Sequence, residues 1–210
     1  MNKIIAAWLL LLAFHGTAWA EAYDDMFQAI QADDTVTVDG LLRKGMDPDT
    51  SDRDGNTLLM VAIRDGSGNA ARLLLAAGAK VNVRNAYGET PLMLAAYQGS
   101  LAMVRPLLAK GAEVNVRGWT PLIYAAARGH TRIVDLLLDH GAQIDAGSAN
   151  GTTALMMAAR GGHLDTVKLL LERHADPNIS NQAGATAITW ALQKGNTDIA
   201  DLLKAAGEKE

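Results

Sequence analysis

The chain has 210 residues, 49% hydrophobic and 20% charged, with a formal net charge of −4 and no cysteine. That composition excludes wholesale disorder, and the missing cysteine excludes disulfides, thiolate metal sites and a cysteine nucleophile. No run of Lys or Arg supplies the concentrated basic footprint that nucleic-acid phosphates require.

The first segment, "MNKIIAAWLLLLAFHGTAWA", places Lys3 ahead of an apolar stretch from Ile4 to Phe14, followed by Ala18-Trp19-Ala20. This is the order of a secretory signal peptide, and cleavage is expected after Ala20. The apolar stretch falls short of the roughly 20 residues that span a bilayer. No membrane insertion is therefore expected after cleavage, and no lipid attachment, since no cysteine follows. The Ala-x-Ala end suits a bacterial host and predicts a periplasmic location.

The remainder repeats itself. Thr57, Thr90, Thr120, Thr153 and Thr186 open the similar runs TLLMVA, TPLMLA, TPLIYA, TALMMA and TAITWA, at spacings of 33, 30, 33 and 33 residues. A second apolar run follows each: ARLLLAAGA, VRPLLAKGA, VDLLLDHGA, VKLLLERHA and the terminal IADLLKAAG. Self-similarity at this period signals stacked supersecondary units. Each threonine reads as a helix N-cap whose hydroxyl accepts an unpaired backbone N–H. Pro91 and Pro121 follow at the first helical position, where no N–H is needed. Gly66, Gly99, Gly129, Gly162 and Gly195 separate two helices. The second helix ends at Gly78, Gly111, Gly141 and Gly207, where a left-handed residue is expected.

The unit is thus helix, turn, helix and projecting loop, and the fold class is an all-α repeat solenoid. Residues 24–49 carry "AIQADD" and "LLRKGMDPD" in register with the later units and read as an N-terminal capping unit. The repeat domain spans 21–207. Its five repeats run from about 50–83, 84–116, 117–146, 147–179 and 180–207, and the charged tail 208–210 should fray. One unit is shorter. "VNVRGWTPL" (114–122) repeats "VNVRNAYGETPL" (81–92) with three residues missing and Trp119 in place of Glu89.

The runs "GETPLMLAAYQG" (88–99), "GWTPLIYAAARGH" (118–130) and "GHLDTVKLLLERHADPN" (162–178) resemble the ankyrin repeat family over the whole of residues 21–207. The resemblance implies helix–turn–helix units with a projecting β-hairpin loop, commonly monomeric. The family's usual histidine after TPL is absent; Met60, Met93, Ile123, Met156 and Thr189 stand there. Pro106 lies inside a second helix and predicts a kink. His174 replaces the terminal glycine and predicts a strained left-handed residue.

Catalytic chemistry finds little support. His130 and His163 follow inter-helix glycines, where histidine satisfies local backbone in this family, and His140 and His174 sit at helix ends facing carbonyls. There is no HExxH and no GxSxG. "GSGNAA" (66–71) follows a helix rather than a strand, so it is not a phosphate loop. No enzyme activity, metal or cofactor is expected.

The resemblance implies binding through loop tips and the exposed first-helix face. By that analogy the variable surface positions include Arg53, Asp54, Asn56, Asp65, Gln98, Asn150, Thr152, Gln182 and Gln193. The candidate partner-binding residues are Tyr87, Tyr97, Trp119, Arg128, Arg160, Arg84, Glu89 and Arg64, because Trp, Tyr and Arg concentrate interface energy. Tyr124 and Trp190 occupy a column shared with Val61, Leu94 and Met157 and read as core. Two readings of the shortened loop are open: it leaves a notch that receives a partner's protrusion, with Trp119 at its floor or rim, or the deletion is neutral drift and Trp119 covers apolar surface exposed by the missing loop. The expected function is a non-enzymatic protein–protein interaction module. The alternatives are an inhibitor or immunity protein that occludes a periplasm-acting enzyme and, by family analogy, an accessory factor for an oxidant-defence enzyme.

Overall fold

The computed structural model describes residues 21–207. The expected signal segment 1–20 and the tail 208–210 lie outside the described residues. Those described form twelve helices and one isolated antiparallel bridge, Ser51 to Thr57. They pack as two compact units that divide between Gly88 and Glu89.

The first unit holds α1 (21–31), α2 (Thr35–Arg43), α3 (Leu58–Asp65) and α4 (Gly68–Ala76). Asp34 caps α2: its carboxylate accepts from the Val36 and Thr37 N–H groups and, at 2.6 Å, from the Thr37 hydroxyl. Those donors, the hydroxyl foremost, hold the Asp34 carboxyl below the usual range. Its neighbour Asp33 has a left-handed φ of 50° and reaches forward to the first turn of α4. There its carboxylate accepts from the Asn69 side chain at 2.7 Å and the Ala70 N–H at 2.8 Å. The capping segment is therefore tied to the next helix pair through orphan helix N–H groups, which favour an anion.

The second unit holds four helix pairs: α5 (Pro91–Gln98) with α6 (Leu101–Ala109), α7 (Pro121–Ala127) with α8 (Thr131–Asp139), α9 (Ala154–Gly161) with α10 (Leu164–Glu172), and α11 (Ala187–Gln193) with α12 (Thr197–Gly207). Helices α5, α7, α9 and α11 lie side by side in that order, and α6, α8, α10 and α12 form the outer row. Ala95, Ala96, Ala125, Ala126, Ala158 and Ala159 are fully buried, so each of α5, α7 and α9 buries a pair of methyl-sized side chains besides its larger apolar ones. Leu107, Leu137, Leu170 and Leu203 of the outer row close the core over them.

All five threonines cap their helices as expected, accepting from the N–H of Met60, Met93, Ile123, Met156 and Thr189. Only Thr189 is polar at that place, and its hydroxyl returns a bond from the Thr186 N–H at 2.7 Å. At Thr90 the Met93 sulfur takes this role at 3.2 Å. His174 has φ 66°, as its replacement of a glycine predicts.

Pro106 stands inside α6, as its place in the sequence predicts, and α6 keeps the same nine residues as its counterparts α4, α8 and α10. Two expectations are corrected. Gly207 lies within α12 and is not left-handed. The projecting loops are not regular β-hairpins. Each full-length loop is a four-residue turn, closed by Gly55 N–H to Asp52, Gly88 to Asn85, Gly151 to Ser148 and Gly184 to Asn181, at 2.8–3.0 Å. The legs beside these turns are too short for a ladder. Side chains reinforce the closing: Asn181 Oδ1 accepts from both Ala183 and Ala185 N–H groups at 3.0 Å.

Candidate partner-binding surface

Tyr97 is the penultimate residue of α5, Trp119 precedes the Thr120 cap of α7, and Arg128 is the C-cap of α7. Between them stands Tyr124, four residues before Arg128 on the same face of α7. The Tyr97 ring meets Tyr124 edge-on at 5.9 Å, and the tilted Trp119 ring lies 5.2 Å from Tyr124. The Arg128 guanidinium sits 5.0 Å over the Tyr97 ring. Glu89 completes the cluster: the Tyr124 hydroxyl donates to its carboxylate at 3.3 Å. Burial first, and the Glu89 charge second, push the Tyr124 phenol up to about 12.

Tyr97 and Trp119 nevertheless remain 42% and 40% exposed. Rings held on one side by neighbours and open on the other are pre-ordered contact area, whose side-chain entropy is already spent. Arg128 is held in the same way: its planar cation is stacked on Tyr97, while its N–H donors remain exposed.

The next turn anchors this arrangement. His130 Nε2–H donates to the Tyr97 carbonyl at 3.0 Å, one of the last carbonyls of α5. His163 does the same for the Ala127 carbonyl at 3.1 Å, and the Asn196 amide for that of Ala159 at 2.9 Å. These histidines were expected to satisfy local backbone; they satisfy the preceding helix pair instead. Glycine makes room for them, since a Cβ on Gly99 would stand 2.5 Å from the His130 ring.

Of the sequence-derived candidates, Tyr97, Trp119, Arg128 and Glu89 thus come together. Arg160 stands apart in the same unit, 5.3 Å over the Trp190 ring. The other three belong to the first unit. Tyr87 is 73% exposed at a loop tip, its N–H held by Asn85 Oδ1 at 3.0 Å. Arg84 donates to the Gly88 carbonyl at 3.3 Å, and Arg64 pairs with Asp65 at 3.5 Å. Two surface assignments are corrected: Asn56 and Thr152 are only 4% and 2% exposed, because both close their turns from inside.

Tyr124 and Trp190 are corrected as well. Both are half-buried, like Leu94 and Met157 in the same column, and only Val61 there is fully buried. That column lies at the edge of the core. Aromatic size at two of its five places was the available signal, because a ring too large for the interior must emerge beside it.

The short loop opens a second feature. Asn115, Arg117, Gly118, Thr120, Gln143, Ala146, Gly147, Ser148 and Ala149 line an open groove of about 480 Å³. Trp119 is not part of its lining and turns instead to Tyr124. Among the described residues, no group of three His, Cys, Asp or Glu is placed to hold a metal ion, and no helix is long and apolar enough to cross a membrane.

The family model for ankyrin repeats, described as three copies, matches residues 26–118, 114–181 and 148–209. The chain belongs to the ankyrin repeat family. Among curated proteins, none matches it significantly. Ankyrin repeats are generally protein–protein interaction modules and typically non-enzymatic. In an ankyrin chain, the pre-ordered Tyr97–Tyr124–Trp119–Arg128 cluster lies on the first-helix face and the loop base.

Proposed function

We propose that this ankyrin-repeat protein is an exported, periplasmic, non-enzymatic binding module that holds a partner protein against the first-helix face of its second unit. The observation that carries the reading is the cluster of Tyr97, Trp119 and Arg128 around Tyr124, ordered by mutual packing and still exposed. Rigid aromatic and arginine side chains bury area at small entropy cost, so they concentrate interface energy. Arg160 on Trp190 extends the same chemistry toward α11. Export rests on the order of residues in segment 1–20.

The test is affinity capture from a native envelope extract, using protein that begins at Glu21. Wild type is compared with a Trp119→Ala, Arg128→Glu variant whose fold is verified by circular dichroism. A defined partner held by wild type and lost by the variant is the expected outcome. Equal retention by both proteins would remove this surface from the interface.

A further inference from the structure

Two pairs of neighbouring loop tips are joined by the same backbone bond. In the first unit, the Ala86 N–H donates to the Asp54 carbonyl at 2.8 Å. In the second, the Gln182 N–H donates to the Asn150 carbonyl at 2.9 Å. Counted back from the loop glycines, the same pair recurs as the Ala149 N–H and the Arg117 carbonyl. There, among the described residues, no backbone bond forms. The three missing residues withdraw the 117–119 loop from its neighbour, and the groove of about 480 Å³ opens between them.

Both orphaned groups lie on residues that line this groove. The lining contains one cation, Arg117, and no carboxylate. Arg117 is exposed and carries no ion pair among those of the described residues. We propose that the groove receives an acidic turn of a partner protein. The turn's main-chain carbonyl accepts from the Ala149 N–H, one of its N–H groups donates to the Arg117 carbonyl, and its carboxylate pairs with the Arg117 guanidinium. The occupant takes the place of the absent loop tip. Main-chain pairing supplies affinity, and the arginine supplies the charge preference. This rests on the protein-binding reading above and uses residues separate from the aromatic cluster.

The chain itself provides a probe. Its Ser51–Asn56 turn carries Asp52 and Asp54, and the Asp54 carbonyl is the one that Ala86, the counterpart of Ala149, engages. A cyclic peptide holding this turn is titrated into the protein while amide NMR shifts and hydrogen exchange are recorded. The Ala149 amide should exchange freely in the unliganded protein, unlike those of Ala86 and Gln182. It should shift and become protected with a Kd of about 1 mM, as suits one short turn. Arg117→Glu should weaken binding at least about tenfold, and an Asn-substituted peptide about as much. Inserting Asn-Ala-Tyr between Arg117 and Gly118 restores the full loop and should abolish the shifts, whereas Trp119→Ala should leave them unchanged.

Absence of shifts at about 10 mM peptide overturns the proposal. So do equal binding of the uncharged peptide, persistence of the shifts in the loop-restored protein, and self-association of the chain through its own turn. If the captured partner is lost by the aromatic-cluster variant yet kept by the loop-restored one, the binding-module reading stands and the groove assignment falls.

Discussion

The 147–153 loop and the 116–120 loop do the same job in adjacent helix pairs and are built from different materials. The longer one is held by polar side chains. Ser148 Oγ donates to Asn150 Oδ1 at 2.6 Å and accepts from the Thr152 N–H at 3.2 Å, and Gly151 packs against the backbone of Asn181 in the next tip. Counted back from its glycine, the shorter one has Asn115 in the place of Ser148, which bonds the Gly141 carbonyl and the Gln143 N–H rather than its own turn. Among the described residues, the shorter loop has no backbone bond to the longer tip. It keeps its left-handed glycine, Gly118 at φ 87°, and ends in an aromatic ring laid on Tyr124. Both deliver a capped threonine to the following helix, with Thr120 and Thr153 accepting at 3.2 and 3.4 Å. The difference teaches that helix entry depends on the Gly-x-Thr end of the loop, while the tip is free to become a binding feature.

The largest expected effect separates the two glycines. Gly151→Ala meets left-handed strain at φ 80° and puts a Cβ 3.3 Å from Asn181 Cα, whereas Gly118→Ala meets nothing within 4 Å. Denaturant unfolding should show a loss of about 2–3 kcal/mol for the first and about 1–2 kcal/mol for the second. Equal losses would mean that the neighbouring tip contributes no packing.

Next comes the aromatic cover. Trp119→Ala should cost about 1–2 kcal/mol, because a half-exposed ring forfeits part of the burial and one ring contact. A smaller loss, about 1 kcal/mol, is expected for Ser148→Ala, which removes one acceptor from the Thr152 N–H while Asn150 still serves it. Were Ser148→Ala the more damaging, the polar tip would carry the stability ascribed to the ring.

The smallest effect is one of pH. The Tyr124 phenol lies above its unfolded value of 10.0, at about 12. The folded state therefore holds its proton more tightly, so its contribution is complete below pH 10 and lost as pH rises toward 12. An ultraviolet phenolate titration should show one tyrosine ionising after the others. Trp119→Ala should bring that late tyrosine back toward 10, since burial is the larger cause of its shift.

Much of this was readable from residue order. The five threonine caps, the glycine turns and the buried alanine row follow from local chemistry at fixed spacing, and the left-handed His174 followed from a glycine's absence. The site was less legible. Tyr97, Trp119 and Arg128 stood out by type, but Tyr124 and Trp190 were taken for core because a periodic column does not reveal how deep it lies. Asn56 and Thr152 were taken for surface because a polar residue buried within a turn looks like any other polar loop residue. Histidines 130 and 163 showed the reverse problem: their place was legible, but their acceptors lie 33 and 36 residues back.

Sequence by itself determined the repeat, its helix boundaries, its family and the existence of a shortened loop, because caps, glycines and apolar spacing act within a few residues. Tertiary structure decided which rings meet, which way Trp119 turns and where the missing bond opens a groove. Those outcomes depend on the distance between neighbouring repeats, which no single stretch of chain contains.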